Sequence, residues 1–262
     1  MEGPLLIDSH CHLADCVFSG RVPSVIEAAK TAGVALFIVP ATAPAEWHSL
    51  QALRGLHPEI FPAYGLHPMH ARQFSENTIA KLRELGHAAV AIGEIGLDYS
   101  LAVPRALQMN AFRRQLMLAR ELDLPVLIHC RKAFQDLLTI LREIGAERVR
   151  GVMHAFSGST ETAVDCIKAG LHISLAGTVT FPNAVRPVKA AREVPLDHLL
   201  LESDAPDLSP EPYRGRPNEP AFLTATACKV AEIKGVAVEE VAARTWKNAV
   251  ELFRLPISFQ AI

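Results

Sequence analysis

Six residues able to hold a metal ion are scattered from position 10 to position 204, and each falls where a short apolar, β-rich run ends. They are His10 and His12 in DSHCHL, Glu94 in GEIG, His129 in LIHC, His154 in VMHA and Asp204 in LESD. Imidazole suits zinc, and carboxylates suit magnesium or manganese. A strand period of two predicts Asp8, His10 and His12 on one face, so that both imidazoles reach one ion. Glu94 has two oxygens and can bridge two ions, and the glycines at 93 and 96 let backbone pack closely around it. A helix-capping or ion-paired glutamate is the plainer alternative. His129 and His154 close neighbouring runs near that glutamate and point to a second metal position, although either alone would read as a hydrogen-bonded core histidine. Asp204 is expected to bind the first ion and accept a proton from water.

Around these six lie supporting candidates. Asp8 and Glu202 sit one strand step below His10 and Asp204, where they would orient imidazoles or hold a proton. His67, in YGLHP, faces the same rim and is read as a substrate or leaving-group contact, an ordinary loop histidine being the alternative. Arg131 follows His129, and YRGRPNEP supplies Arg214, Arg216, Asn218 and Glu219 at the same end, a possible phosphate grip because guanidinium matches phosphate bidentately. Exposed surface charge is the competing reading for Arg214 and Arg216. Helix arginines such as Arg113 and Arg114 read as solvated or ion-paired.

Residues so far apart meet only if the strand ends that carry them converge. The runs LLID, ALFIV, IFPAYG, AVAIGE, PVLIHC, GVMHA, HISLAG and HLLLES alternate with amphipathic stretches such as VPSVIEAAKTAG, PRALQMNAFRRQLMLARELD and KAFQDLLTILREIG. Strict alternation predicts parallel strands, and roughly eight βα units close a (β/α)8 barrel whose strand C-termini share one rim. The α/β class is therefore expected as a single TIM barrel domain over residues 1–262. An open doubly wound sheet would carry a Gly-rich phosphate turn after an early strand, where this chain has DSHCHL.

Composition bounds the rest. Half of the 262 residues are hydrophobic and 21% are charged, enough apolar matter for a large core. The formal charge of −2 excludes a broad cationic surface and confines any nucleic-acid contact to a local patch. Cys11, Cys16, Cys130, Cys166 and Cys228 form no C-x-x-C pair and are read as reduced thiols, Cys11 and Cys130 pointing away from the histidines beside them. With no signal-peptide pattern and no apolar run long enough for a bilayer, a soluble cytoplasmic protein is expected, with no membrane association and no obligate protein partner.

From about Leu5 to Leu255 the chain resembles the TatD-type metal-dependent deoxyribonucleases. The motifs DSHCHL, YGLHP, GEIGLDY, LPVLIHCR, HAFSGS, GTVTFPNA, LLLESDAP and RGRPNEP stand in that family's order. The resemblance implies a barrel with two divalent ions, Zn, Mg or Mn, held by His10, His12, Glu94, His129, His154 and Asp204. It further implies hydrolysis of phosphodiester bonds, like that of a 3'-5' exonuclease, with DNA strand ends or single strands as substrate. Glu94 and Asp204 would be catalytic, with His67 and Arg131 holding the phosphate. The chain departs from the common pattern at Ser203, at Ala155 and at a proline inserted before Asn218, changes that spare every ligand. The alternative is an amidohydrolase-type enzyme acting on a small amide, lactone or amino-nucleobase with the same activated water.

Overall fold

The structure is a computed structural model and describes residues 5–145 and 149–257. Eight parallel strands lie side by side in chain order: β1 (Leu6–Asp8), β2 (Val34–Ala41), β3 (Ile60–Tyr64), β4 (Ala91–Asp98), β5 (Val126–Arg131), β6 (Gly151–Met153), β7 (Leu171–Leu175) and β8 (Leu199–Leu201). Between them run α1 (Val22–Thr31), α2 (Pro44–Leu56), α3 (Glu76–Gly86), α4 (Arg105–Glu121), α5 (Phe134–Ile144), α6 (Thr160–Lys168) and α7 (Arg186–Glu193). The helices α8 (Leu223–Lys234) and α9 (Val238–Phe253) follow the last strand. The seam between β8 and β1 closes through backbone bonds: Ser9 N–H donates to Leu201 O at 3.0 Å, Asp204 N–H to His10 O at 2.9 Å and His12 N–H to Ala205 O at 2.8 Å. The alternation read from the sequence thus builds the expected (β/α)8 barrel.

Alternation along each strand divides the core in two. Outward residues such as Phe37, Ile60, Ile92, Ile128, Met153 and Ile173 pack against the helices. Inward ones, Ile7, Ile38, Phe61, Ala91, Leu127, Val152 and Leu200, fill the barrel and meet Leu252, Phe253 and Leu255 at the end of α9. This apolar plug fills the lower barrel, and the metal-ligating side chains stand above it, at the strand C-termini. Sequence-local devices set the helix ends: the Ser75 and Ser159 hydroxyls accept from Thr78 and Thr162 N–H at the starts of α3 and α6, and Gly145 and Gly235 end α5 and α8 at positive φ. No helix among the described residues is long and apolar enough to cross a membrane.

Candidate metal centre

Directly above the plug, strand alternation delivers most of the site. His129 stands two residues beyond the inward Leu127, His154 two beyond Val152 and Glu202 two beyond Leu200, while Asp204 follows past the end of β8 with φ 56°. Glu94 arrives differently. The β4–β5 register shifts between Ile92 and Ile95, so the inward Ala91 below the shift and Glu94, Gly96 and Asp98 above it all face the lumen, while Ile95 and Leu97 pack outward. Glycines make room for this: a Cβ on Gly65 would stand 2.7 Å from Glu94 O, and Gly96, at φ +146°, lies so close to His129 O that a Cβ would overlap it.

The result is a buried glutamate, 3% exposed, with a cluster on each oxygen. Glu94 Oε2 lies 3.4 Å from His10 Nε2 and 3.7 Å from His12 Nε2; Asp204 Oδ1 is 3.7 and 3.6 Å from the same two nitrogens. Glu94 Oε1 lies 2.9 Å from His154 Nε2, 3.1 Å from His129 Nδ1 and 3.5 Å from His67 Nε2. The outer ring nitrogens of two histidines face carboxylates: His129 Nε2 is 3.3 Å from Asp98 Oδ2, and His154 Nδ1 is 3.3 Å from Glu202 Oε1. Such partners fix which nitrogen faces an ion and make it a better ligand. The donor set fits divalent cations: imidazoles and two carboxylates converge in three overlapping groups, His10 with His12 and Asp204, His10 with Glu94 and His154, and His67 with Glu94 and His129.

The electrostatics express the same crowding. Burial pushes Glu94 and Asp204 up, but the imidazoles around them prevail: His154 and His67 hold Glu94 well below the usual range, and the bond to His12 holds Asp204 below it. Burial pulls His12 down, yet Asp204 and Glu94 outweigh it and raise His12 to about 9; Glu94 and Glu202 likewise raise His154. His10, desolvated and beside His154, is lowered.

His67 stands within ligand distance of Glu94 and His129. Its Nδ1 accepts from Met69 N–H at 3.2 Å, and burial pushes its pKa down to about 4. A neutral imidazole whose Nδ1 accepts must carry its proton on Nε2, so His67 turns an N–H into the site rather than a lone pair.

Two expectations need correction. β1 ends at Asp8, with Ile7 in the inner plug, so alternation turns Asp8 toward the wall; there its carboxylate takes Ser203 N–H at 2.9 Å and Ser203 Oγ–H at 2.5 Å. Asp8 touches no imidazole. It ties β1 to β8, burial raising its carboxyl to about 7, and His10 and His12 reach the lumen because the chain bends after the strand. The second correction concerns YRGRPNEP. Asn218 is buried and clasps Ser203 O and Asp207 O through Nδ2, and Glu219 pairs with Arg21, so neither belongs to a phosphate grip. Arg131 is exposed at the end of β5. Asp98 escaped the sequence reading, although Glu94, Gly96 and Asp98 at spacings of two were the signal for it. Cys11 and Cys130 pack into the outer core, and all five cysteines are free thiols. Arg113 and Arg114 pair with Glu143 and Glu76.

A barrel whose rim gathers these imidazoles and carboxylates around a shared glutamate defines a metal-dependent hydrolase. Residues 7–254 match the model of the TatD related DNase family, and the chain belongs to that family. It is 40% identical over 255 residues to the uncharacterized metal-dependent hydrolase YabD of Bacillus subtilis, covering 96% of this chain and 100% of the relative. It is 35% identical over 260 residues to the 3'-5' ssDNA/RNA exonuclease TatD of Erwinia tasmaniensis, covering 95% of this chain and all of the relative. Among solved structures, the TatD homolog YjjV of Escherichia coli K12 superposes with a TM-score of 0.91 at 33% identity, covering 96% of this chain and 98% of that one.

Proposed function

We propose that this protein is a two-metal phosphodiesterase that hydrolyses nucleic acid at single strands or strand ends, with DNA as the principal substrate and 3'-5' exonucleolysis as its mode. The observation that carries the reading is Glu94, whose two oxygens face different ligand clusters. His10, His12 and Asp204 would hold one ion and His129 and His154 the other, with Glu94 between them. Divalent ions there supply Lewis-acid polarisation of a phosphoryl oxygen and bring the pKa of water towards neutrality.

The chain's own groups do the rest. Asp204 is the proton acceptor: its buried carboxylate stands at the first ion's site, 3.6 Å from His12 Nε2, and its φ of 56° is fixed by its N–H to His10 O and its carbonyl to Asp207 N–H. His67 Nε2–H, 3.5 Å from Glu94 Oε1, would donate to a non-bridging phosphate oxygen, and the exposed Arg131 would take the charge of that phosphate or its neighbour. Asp98 and Glu202 keep the His129 and His154 rings oriented. The relative named as a single-strand exonuclease supports this substrate class. Five free thiols support a cytoplasmic setting.

The test is hydrolysis of single-stranded DNA, double-stranded DNA and RNA, each with Mg, Mn and Zn and with a chelator control. Release of nucleotides from single-stranded ends, abolished by chelator, is the expected result. Cleavage of small amides or lactones with no action on any nucleic acid would overturn the reading.

A further inference from the structure

Several surface arginines of this protein pair with carboxylates: Arg83 with Glu121, Arg114 with Glu76, Arg150 and Arg254 with Asp123, Arg244 with Asp197. Arg214 and Arg216 rest mainly on aromatic rings. In the loop after β8 the Arg214 guanidinium lies over the Phe181 ring at 4.2 Å, and the Arg216 guanidinium lies over Tyr213 at 4.8 Å and Phe222 at 4.5 Å. Tyr213 and Phe222 are themselves stacked, centroids 4.0 Å apart. Arg214 has one carboxylate near it, Glu211 at 3.6 Å, and Arg216 pairs with none among the described residues. Contact of this kind, over the Phe181 ring for Arg214 and beside the Tyr213–Phe222 stack for Arg216, holds a guanidinium in place without using its N–H groups.

The loop that carries them is anchored beside the metal centre. Asp207 N–H donates to Asp204 O at 2.8 Å, and Asn218 Nδ2 binds both Ser203 O and Asp207 O, on either side of Asp204. Glu211 N–H donates to Thr180 Oγ1 at 2.8 Å, tying this loop to the one after β7 that supplies Phe181, and Ser209 Oγ–H reaches Arg216 O at 2.6 Å. The stacked arginines therefore sit on a fixed base joined to a metal ligand, in a protein whose net charge of −2 offers no general cationic surface.

Resting on the phosphodiesterase reading above, we propose that Phe181, Tyr213, Arg214, Arg216 and Phe222 form a stacking platform for the single-stranded nucleotides flanking the scissile phosphate. The guanidinium N–H groups take backbone phosphates, and unpaired bases lie against the exposed guanidinium groups and the half-buried rings that hold them. Paired bases keep their faces buried in the duplex, so the platform selects unpaired ends.

The test compares kcat/KM for a 12-nucleotide oligo-dT with kcat/KM for a dT dinucleotide, in wild type and in Arg214→Gln, Arg216→Gln and the double variant. Arg83→Gln, on the outside of the barrel, is the control. In each single variant the advantage of the 12-mer over the dinucleotide should fall by about tenfold, as expected for one stacking contact. The salt dependence of 12-mer KM should lose about 0.7 in log–log slope per arginine. Circular-dichroism melts within a few degrees of wild type confirm that the exposed substitutions leave the barrel intact. An unchanged length ratio and slope, in variants of an enzyme whose wild type degrades the 12-mer, would overturn the platform and leave the phosphodiesterase standing. A wild type that cleaves neither oligonucleotide with any of the three metals would overturn both.

Discussion

Replacing Glu94 by Gln tests whether one side chain serves both clusters. The carboxylate is 3% exposed and has five imidazole nitrogens within 3.7 Å, two on Oε2 and three on Oε1. Glutamine preserves the shape and one carbonyl oxygen, so one cluster keeps a weaker ligand. The other meets an amide N–H₂ that points protons at its cation. Removing one partner from a buried charge pair costs roughly 3–5 kcal/mol, which is about a hundredfold to a few thousandfold in affinity. After dialysis against chelator, titration with Mn or Zn against a chromophoric competitor should show two tight ions per wild-type chain. The variant should bind at least one of them two orders of magnitude more weakly, with most hydrolysis lost. Glu202→Gln should be milder, because Glu202 touches His154 Nδ1 and Ala155 N–H rather than the converging nitrogens. Two ions held by Glu94→Gln with wild-type affinity, or near-normal turnover at limiting metal, would refute the shared-glutamate geometry.

Four further outcomes follow from the same contacts. Asp204→Asn retains an oxygen ligand but not the proton acceptor, so kcat should drop about a hundredfold or more with metal saturated and substrate binding largely kept; full activity would mean another group activates the water. Asp98→Asn leaves His129 Nε2 without its carboxylate and should weaken metal binding by about tenfold to a hundredfold in the chelator-competition titration. His67→Ala should lower activity while the number of ions per chain stays at two, because His67 presents an N–H; loss of an ion would make it a ligand instead. Away from the site, Glu59 feels burial but is held below its usual value of 4.5 by Lys30 at 2.7 Å, so its contribution to stability is present above that pH and fades as pH falls below it. Thermal melts of Glu59→Gln should accordingly fall short of wild type at pH 6 and converge with it near pH 3.

What the chain by itself determined is the class of fold and which imidazoles and carboxylates meet at the rim. Apolar runs alternating with amphipathic stretches specify parallel strands, and a lumen-facing residue at the end of such a run stays lumen-facing as long as the period of two is unbroken. That held for His129, His154 and Glu202, each two residues beyond an inward apolar residue, whereas Asp204 reaches the lumen past the end of β8 with a left-handed φ of 56°. It failed where the backbone departs from period. β1 stops at Asp8, so the expected shared face with His10 and His12 does not exist and Asp8 serves the wall through Ser203. The register shift in β4 turns Glu94 inward and carries Asp98 with it, a geometry that depends on Gly65 and Gly96 leaving space for neighbouring strands. Tertiary structure alone also decided what His67 offers, because its proton is placed by the Met69 N–H of the following turn. It decided the fate of YRGRPNEP as well, where Asn218 became an anchor and the two arginines came to rest on aromatic rings from three separate segments. The division has one physical reason. Periodicity is a local property of a strand, whereas tautomer, register shift and side-chain pairing are set by the groups that other strands and loops bring alongside.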